Sequence, residues 1–283
     1  MTPTTPSSHS FTFPTFKYLE LKYIDHVLKA SIAREKKANA IHEALWFELE
    51  KLALWVDEVP EVRVLVLSGK GKHFTAGLDF SLALSLFASV STLPDGHKQE
   101  AMYHKIIKLQ KAFTAFEKCR KPVIAAIHGS CFGAGIDLIT ACDLRYASSD
   151  ASFCIKEIDL AIVADIGTLQ RLPHLIGQGH TRELTLTGRT FDANEAKSLG
   201  LVSEVYSTSD ELMDTVFAVA KTITKKSPLT VRGTKHILNY SRDHGVEEGL
   251  RYVATWNAGM LLSVDIQEAM QSIMSKKDPT FLD

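Results

Sequence analysis

A surplus of charge is the first thing this sequence lacks: 32 Lys and Arg stand against 33 Asp and Glu in 283 residues, a formal net charge of −1. Without a basic field the chain has nothing to gather nucleic acid or an anionic membrane, which sets aside a general polyanion-binding role. Long apolar runs are also missing. None nears the roughly 20 residues of a membrane-spanning helix, so a soluble protein with no membrane insertion is expected. Cysteine is scarce: Cys119, Cys131, Cys142 and Cys154 lie in apolar segments without C-x-x-C spacing, which argues against zinc and predicts reduced core thiols of an intracellular protein. Familiar site motifs fail as well. The glycines do not follow G-x-G-x-x-G, Gly71-Lys72 lacks the rest of a phosphate-binding loop, and neither G-x-S-x-G nor H-E-x-x-H occurs.

What is present is ordinary in bulk, with 45% hydrophobic and 23% charged residues. The opening "MTPTTPSSHSFTFPTF", rich in Ser, Thr and Pro, lacks the apolar stretch of a signal peptide and the arginines of a transit peptide, so residues 1–16 are expected to be a flexible arm. The closing "DPTFLD" is not an S-K-L address, which leaves cytoplasm, mitochondrion and peroxisome all open. Alternation in "KYLELKYIDHVLKASI" predicts a hairpin turning at Asp25-His26. Ile41, Leu45, Leu49, Leu52 and Val56 fall on one helical stripe. "VRVLVLSG" and "PVIAAIHG" predict buried strands, and the amphipathic "KLQKAFTAFEKC" between them makes strand and helix alternate, an α/β pattern.

Later, Asp192 is expected to cap a short helix with Glu195 as its capping-box partner and Gly200 as its left-handed stop. Ser227 and Pro228 open the first of two expected C-terminal helices, the second carrying Leu250, Val253, Trp256, Met260 and Leu261 as core or as subunit interface.

Chemistry is suggested by "GSCFGAGID" and the "IKEIDLAIVADIG" that follows it. A buried strand enters a turn with Gly129, Gly133 and Gly135, and a helix begins near Ala134; free N–H groups at a helix start favour an anion or a forming enolate oxygen. "GKHFTAGLDF" offers a second glycine turn after a buried strand, so two N–H groups can form one oxyanion hole. Tight-turn formation is the plain alternative for these glycines. Asp137, Glu157 and Asp165 sit in stretches that otherwise look like apolar core, where desolvation raises carboxyl pKa values and suits them to proton transfer. Singly, each has a structural alternative: Asp137 answering a helix dipole, Asp165 capping the next helix, Glu157 closing a strand. Asp159 shares the pattern without an assigned role.

The run "AIHGSCFGAGIDLITACDLRYASSDASFCIKEIDLAIVADIGTLQRLPHLIG" resembles the crotonase (enoyl-CoA hydratase/isomerase) superfamily and, within it, the Δ3,5-Δ2,4-dienoyl-CoA isomerase branch. "REKKANAI", "FTAGLDF", "TGRTFDANEAKSLGLV" and "NYSRDHGVEEGLRYVATWN" extend the likeness over roughly residues 17–275. The resemblance implies a spiral of repeated ββα units with a C-terminal helical extension: a crotonase-type core over 17–210 and a helical oligomerisation region over 211–283. It implies backbone N–H donors on Leu78 and Ala134 for the thioester oxygen, where relatives often carry Gly at the second place. Ala76, Gly77, Leu78, Asp79, Phe80 and Ala134 would line the substrate, and Arg34, Lys36 or Lys37 would meet the coenzyme A phosphates.

The acid trio matches the isomerase branch, whereas a typical hydratase has Glu at the first two places and none at the third. The implied reaction, part of unsaturated fatty acid β-oxidation, moves a proton from C2 to C6 of a 3,5-dienoyl-CoA. Glu157 would serve C2, Asp165 would serve C6, and Asp137 would orient or tune. No cofactor or metal is implied, coenzyme A being the substrate's carrier, and the assembly would be a homotrimer or homohexamer. A hydratase or other crotonase-type enzyme, and a binding or RNA-associated protein without turnover, are the competing readings.

Overall fold

The computed structural model describes residues 12–283, so most of the arm expected at 1–16 lies outside the described residues. Of its last residues, Phe13 lies 5.9 Å from the Trp55 ring and Phe16 packs on the core. The hairpin forms as expected. β1 (Leu19–Ile24) and β2 (Val27–Ile32) pair antiparallel, and Asp25 and His26 take left-handed φ values of 47° and 65°. That geometry gives a two-residue turn whose twist matches the strands.

From β2 onward the main sheet is parallel. β3 (Val64–Gly69) follows α1 (Glu43–Glu58), and β4 (Val123–Ile127) follows α2 (Phe80–Val90) and α3 (Asp95–Lys118). Two ββα units come next: β4 with β5 (Ser130–Phe132) and α4 (Ala134–Thr140), then β6 (Leu144–Ser148) with β7 (Ser152–Cys154) and α5 (Thr168–Thr187). In each unit the first strand joins the main sheet and the second joins a small one. With β8 (Phe191–Asp192), α6 (Ala193–Leu199), β9 (Val205–Tyr206) and α7 (Ser209–Thr224), the sheet orders are β1-β2-β3-β4-β6-β9 and β5-β7-β8.

Strand periodicity explains why "VRVLVLSG" looks apolar throughout. Leu65 and Leu67 face the cluster built with α1 and α3, while Val64 and Val66 face Leu212, Val216 and Ala220 of α7. Both faces are covered, so Val64–Leu67 are all apolar, and the one polar residue of the strand, buried Ser68, is paired with the Ser31 hydroxyl at 2.8 Å. The predicted α1 stripe is fully buried, and Trp46 beside it stacks 4.5 Å from Phe113 while its indole donates to the Leu109 carbonyl. Truncating such an aromatic costs about 3–5 kcal/mol. All four cysteines are free and buried.

Three expectations are corrected. Asp192 does cap α6, accepting from the Glu195 N–H, and Gly200 is left-handed (φ 87°), but the Glu195 carboxylate pairs with Arg189 instead of returning to the cap. Ser227 and Pro228 open not two helices but three: α8 (Pro228–Arg242), α9 (Val246–Met260) and α10 (Val264–Ser275). The apolar run Leu261-Leu262 hid the break, because the extended Ser263 after it starts a new helix. The α9 stripe is not core within this chain, since Leu250 is 62% exposed and only Val253 and Trp256 are half-buried.

Candidate active site

Two glycine turns meet because their segments pair. Thr75 bridges Cys131 and Ile41 bridges Leu78, both in parallel sense. Thr75 N–H donates to the Ser130 carbonyl at 2.9 Å, and Phe132 N–H donates to the Thr75 carbonyl at 3.2 Å. On the other side, Ile41 N–H reaches the Gly77 carbonyl (2.7 Å) and Asp79 N–H reaches the Ile41 carbonyl (3.0 Å). In such a ladder the residue between the two bonds turns its own N–H the opposite way. Leu78 is that residue, and its N–H finds no acceptor among the described residues.

Ala134 is the first residue of α4, so its N–H also lies outside the helical ladder. Gly77, with φ 93°, permits the approach: a Cβ there would stand 2.5 Å from the Phe132 carbonyl oxygen and 3.6 Å from the Ala134 nitrogen. Ala134 itself has no positive φ, so alanine in place of the common glycine is unstrained. The result is a pair of outward donors suited to an oxyanion.

The three acids gather beside this pair. Glu157 lies in a 3-10 turn, Lys156–Leu160, ended by the left-handed Ala161. Its Oε1 is 3.3 Å from the place a Gly133 Cβ would occupy, which sets the carboxyl over the turn that presents the Ala134 N–H. Its Oε2 is buried and has no hydrogen-bond partner among the described residues. Burial, reinforced by the charges of Asp137 and Asp165, pushes its pKa up to about 7. Asp137, on the first turn of α4, is fully buried, and burial raises it to about 6 although Thr168 hydrogen bonds oppose the shift. Asp165 is half-buried and is also raised by burial.

Two details differ from expectation. The oxygen that caps α5 comes from Asp137, whose Oδ1 accepts from Thr168, while Asp165 lies short of Gly167 at the helix boundary. Most of the apolar residues between Glu157 and Asp165 are surface, not core: Ile158, Leu160 and Val163 are exposed, Val163 at 74%, while Ala164 alone joins the core. Asp159 pairs with Lys156 at the surface.

On the rim, Ala76 and Phe80 are exposed on either side of the buried Gly77 and half-buried Leu78. Asp79 caps α2 by accepting from Ser81 N–H, and it binds Arg34 at 2.6 Å. The Ser81 backbone bond outweighs burial and, with Arg34, holds Asp79 at about 2. Arg34 is therefore committed, leaving Lys36 and Lys37 as the exposed cations of that loop.

Sequence reasoning missed what ties these loops together. Buried Asn39 accepts from Arg34 N–H and donates to the carbonyls of Lys70 (2.9 Å) and His73 (2.7 Å). Thr75 Oγ1 donates to the Asn39 carbonyl and accepts from Gly77 N–H. The Asn inside "KANAI", a residue type that tolerates the left-handed φ of 56° it adopts, was the available signal. Thr168 and Arg171 were also missed, because their partners are distant in sequence.

A parallel sheet with ββα repeats, two backbone N–H groups on adjoining turns and a cluster of acids raised by burial are the features of an acyl-thioester enzyme of crotonase type. Residues 24–283 match the enoyl-CoA hydratase/isomerase family, and the chain belongs to it. It is 49% identical over 274 residues to a peroxisomal Δ3,5-Δ2,4-dienoyl-CoA isomerase of Arabidopsis thaliana, covering 95% of this chain and 99% of the relative. It is 46% identical to the mitochondrial Δ3,5-Δ2,4-dienoyl-CoA isomerase of Mus musculus over 89% of this chain and 78% of that one. Among solved structures, an enoyl-CoA hydratase from Bacillus anthracis superposes with a TM-score of 0.84 at 31% identity, covering 94% and 99% of the two chains.

Proposed function

We infer that this chain is a Δ3,5-Δ2,4-dienoyl-CoA isomerase acting on acyl-CoA substrates. The observation that carries the reading is the second raised acid: Asp165 shares with Glu157 a site that also holds the paired N–H donors. Hydration needs its acids near C2 and C3, whereas a 3,5-to-2,4 shift needs one at each end of a five-carbon system. In the proposed reaction the thioester oxygen sits between Leu78 N–H and Ala134 N–H, and the Glu157 carboxylate takes a proton from C2. The C2–H pair enters the conjugated system as an enolate, the double bonds move to C2–C3 and C4–C5, and protonated Asp165 gives its proton to C6. Proton return through solvent resets the pair. Asp137 raises Glu157 by its charge and fixes the start of α5.

Around this centre, Ala76, Gly77, Leu78, Asp79 and Phe80 line the thioester end, and Lys36 or Lys37 meets the coenzyme A phosphates. Exposed Phe80, Leu84 and Phe87 on α2 offer an apolar wall to the acyl chain. In this scheme residues 17–210 carry the chemistry and 211–283 the assembly surface. The exposed α9 stripe supports a homotrimer or homohexamer, α7 serving also as cover for the sheet. A peroxisome or mitochondrion is the expected compartment, as in the relatives' names.

The test uses the purified protein with 3,5-dienoyl-CoA and, separately, 2-enoyl-CoA. Growth of the 2,4-dienoyl ultraviolet band with little loss of the 2-enoyl band is expected. Faster hydration than isomerisation would overturn the reading, and Glu157→Gln should abolish the dienoyl signal by about 100-fold or more.

A further inference from the structure

The segment that carries Asp165 is held from below by a single stripe of α3. Gln110, Thr114 and Glu117, spaced one helical turn apart, all face it. Gln110 Nε2 donates to the Asp165 carbonyl at 2.7 Å. Arg171, one turn into α5, donates to Glu117 Oε2 at 2.8 Å and to Thr114 Oγ1 at 3.1 Å, and its Nη1 reaches back to the Ile166 carbonyl at 3.4 Å. The two peptide groups that follow Asp165 are thus each bonded by a side chain. Gly167 accommodates the guanidinium, because a Cβ there would lie 1.8 Å from Arg171 Nη1.

From the other side α8 grips the same anchor. Arg242 pairs with Glu117 Oε1, and Asn239 donates to the Glu117 carbonyl. Arg171 and Glu117 are 11% and 15% exposed, so the pair is largely shielded from solvent. Glu157 lies outside this network. Its turn is fixed instead by the Ile162 N–H bond to the Glu157 carbonyl.

We propose that Arg171 is a positioning residue that aims Asp165 at C6, and that α8 reinforces the aim through Arg242 on the shared Glu117. The proposal rests on the assignment of Asp165 to the C6 proton. Its consequence is a separation of half-reactions: loosening Arg171 harms delivery at C6 while removal and return of the C2 proton by Glu157 continue.

The experiment follows both in deuterium oxide with 3,5-dienoyl-CoA, measuring deuterium entry at C2 and formation of the 2,4-dienoyl band. Arg171→Lys should lower product formation tenfold or more while C2 exchange stays within twofold of the native protein. Thr114→Val, an isosteric change that removes one Arg171 bond, should shift the same ratio about threefold in the same direction and serves if the first variant does not fold. Asp165→Asn is run alongside and should abolish product formation with exchange retained. If Asp165→Asn separates the two signals but Arg171→Lys and Thr114→Val lower both equally or neither, the positioning role is wrong. If Asp165→Asn itself leaves the signals joined, the failure lies in the assignment of Asp165.

Discussion

Asp137 Oδ1 accepts two hydrogen bonds from Thr168, at 2.8 Å from its N–H and 2.6 Å from its hydroxyl, across 31 residues of sequence. One carboxylate oxygen therefore belongs to the start of α5, and the charge it carries is also felt by Glu157. Replacement should separate these two functions. Asp137→Asn keeps an oxygen acceptor and is expected to cost little stability, whereas Asp137→Ala leaves the Thr168 donors buried and unpaired at about 1–3 kcal/mol. Thermal melts of the two variants check this; equal destabilisation would show that the cap is not what Asp137 contributes.

The second prediction concerns pH. In the proposed mechanism Glu157 removes a proton only when ionised, so kcat/KM should rise with pH along a limb near 7, far above an ordinary carboxylate. Asp137→Asn removes one of the charges that raises Glu157 and should move the limb downward. Stability runs the other way. A carboxyl whose folded pKa is raised binds more protons folded than unfolded, so folding stability falls as pH climbs from the unfolded value near 4.5 to about 7. Glu157→Gln should flatten that decline, leaving the variant more stable than the native chain at pH 8 by roughly 1–2 kcal/mol after allowance for partial solvent screening. Melting curves between pH 5 and pH 8 decide it.

How much of this was legible in the sequence depends on the range of each interaction. The Asp25-His26 turn, the Asp192 cap and the Ser227-Pro228 start are set by neighbours within four residues, and all formed. Buried strands were legible from apolar runs that leave no face for water. Asp137, Glu157 and Asp165 stood out because charge was unexpected there, though the exposure of Ile158, Leu160 and Val163 shows that an apolar stretch is not always core. By contrast, Arg171 with Glu117 and Gln110 with Asp165 join residues 54 and 55 positions apart. No local period marks such pairs, and a polar stripe on α3 is indistinguishable in sequence from a solvated face.

Gly77 supplies the third prediction. Gly77→Ala puts a methyl group 2.5 Å from the Phe132 carbonyl oxygen at a φ of 93°, so the 75–78 segment must withdraw from the turn before Ala134. Losing one oxyanion donor costs about 3 kcal/mol, roughly a hundredfold in rate. We expect kcat to fall by that order while the position of the pH limb stays unchanged, since no acid has moved. A variant with near-native kcat would mean that the Leu78 N–H takes no part.

Asn39 has a consequence for which substrates fit. Its amide binds the loop of Lys36 and Lys37 to the carbonyls of Lys70 and His73, just ahead of the turn that offers the Leu78 N–H. In the proposed binding mode the grip on the nucleotide handle and the grip on the thioester are then one rigid gauge, and every acyl chain is measured from its head. Carbons 2 and 6 fall at fixed marks whatever the total length, so tolerance for longer or shorter tails is decided beyond the sixth carbon, where the gauge no longer reaches.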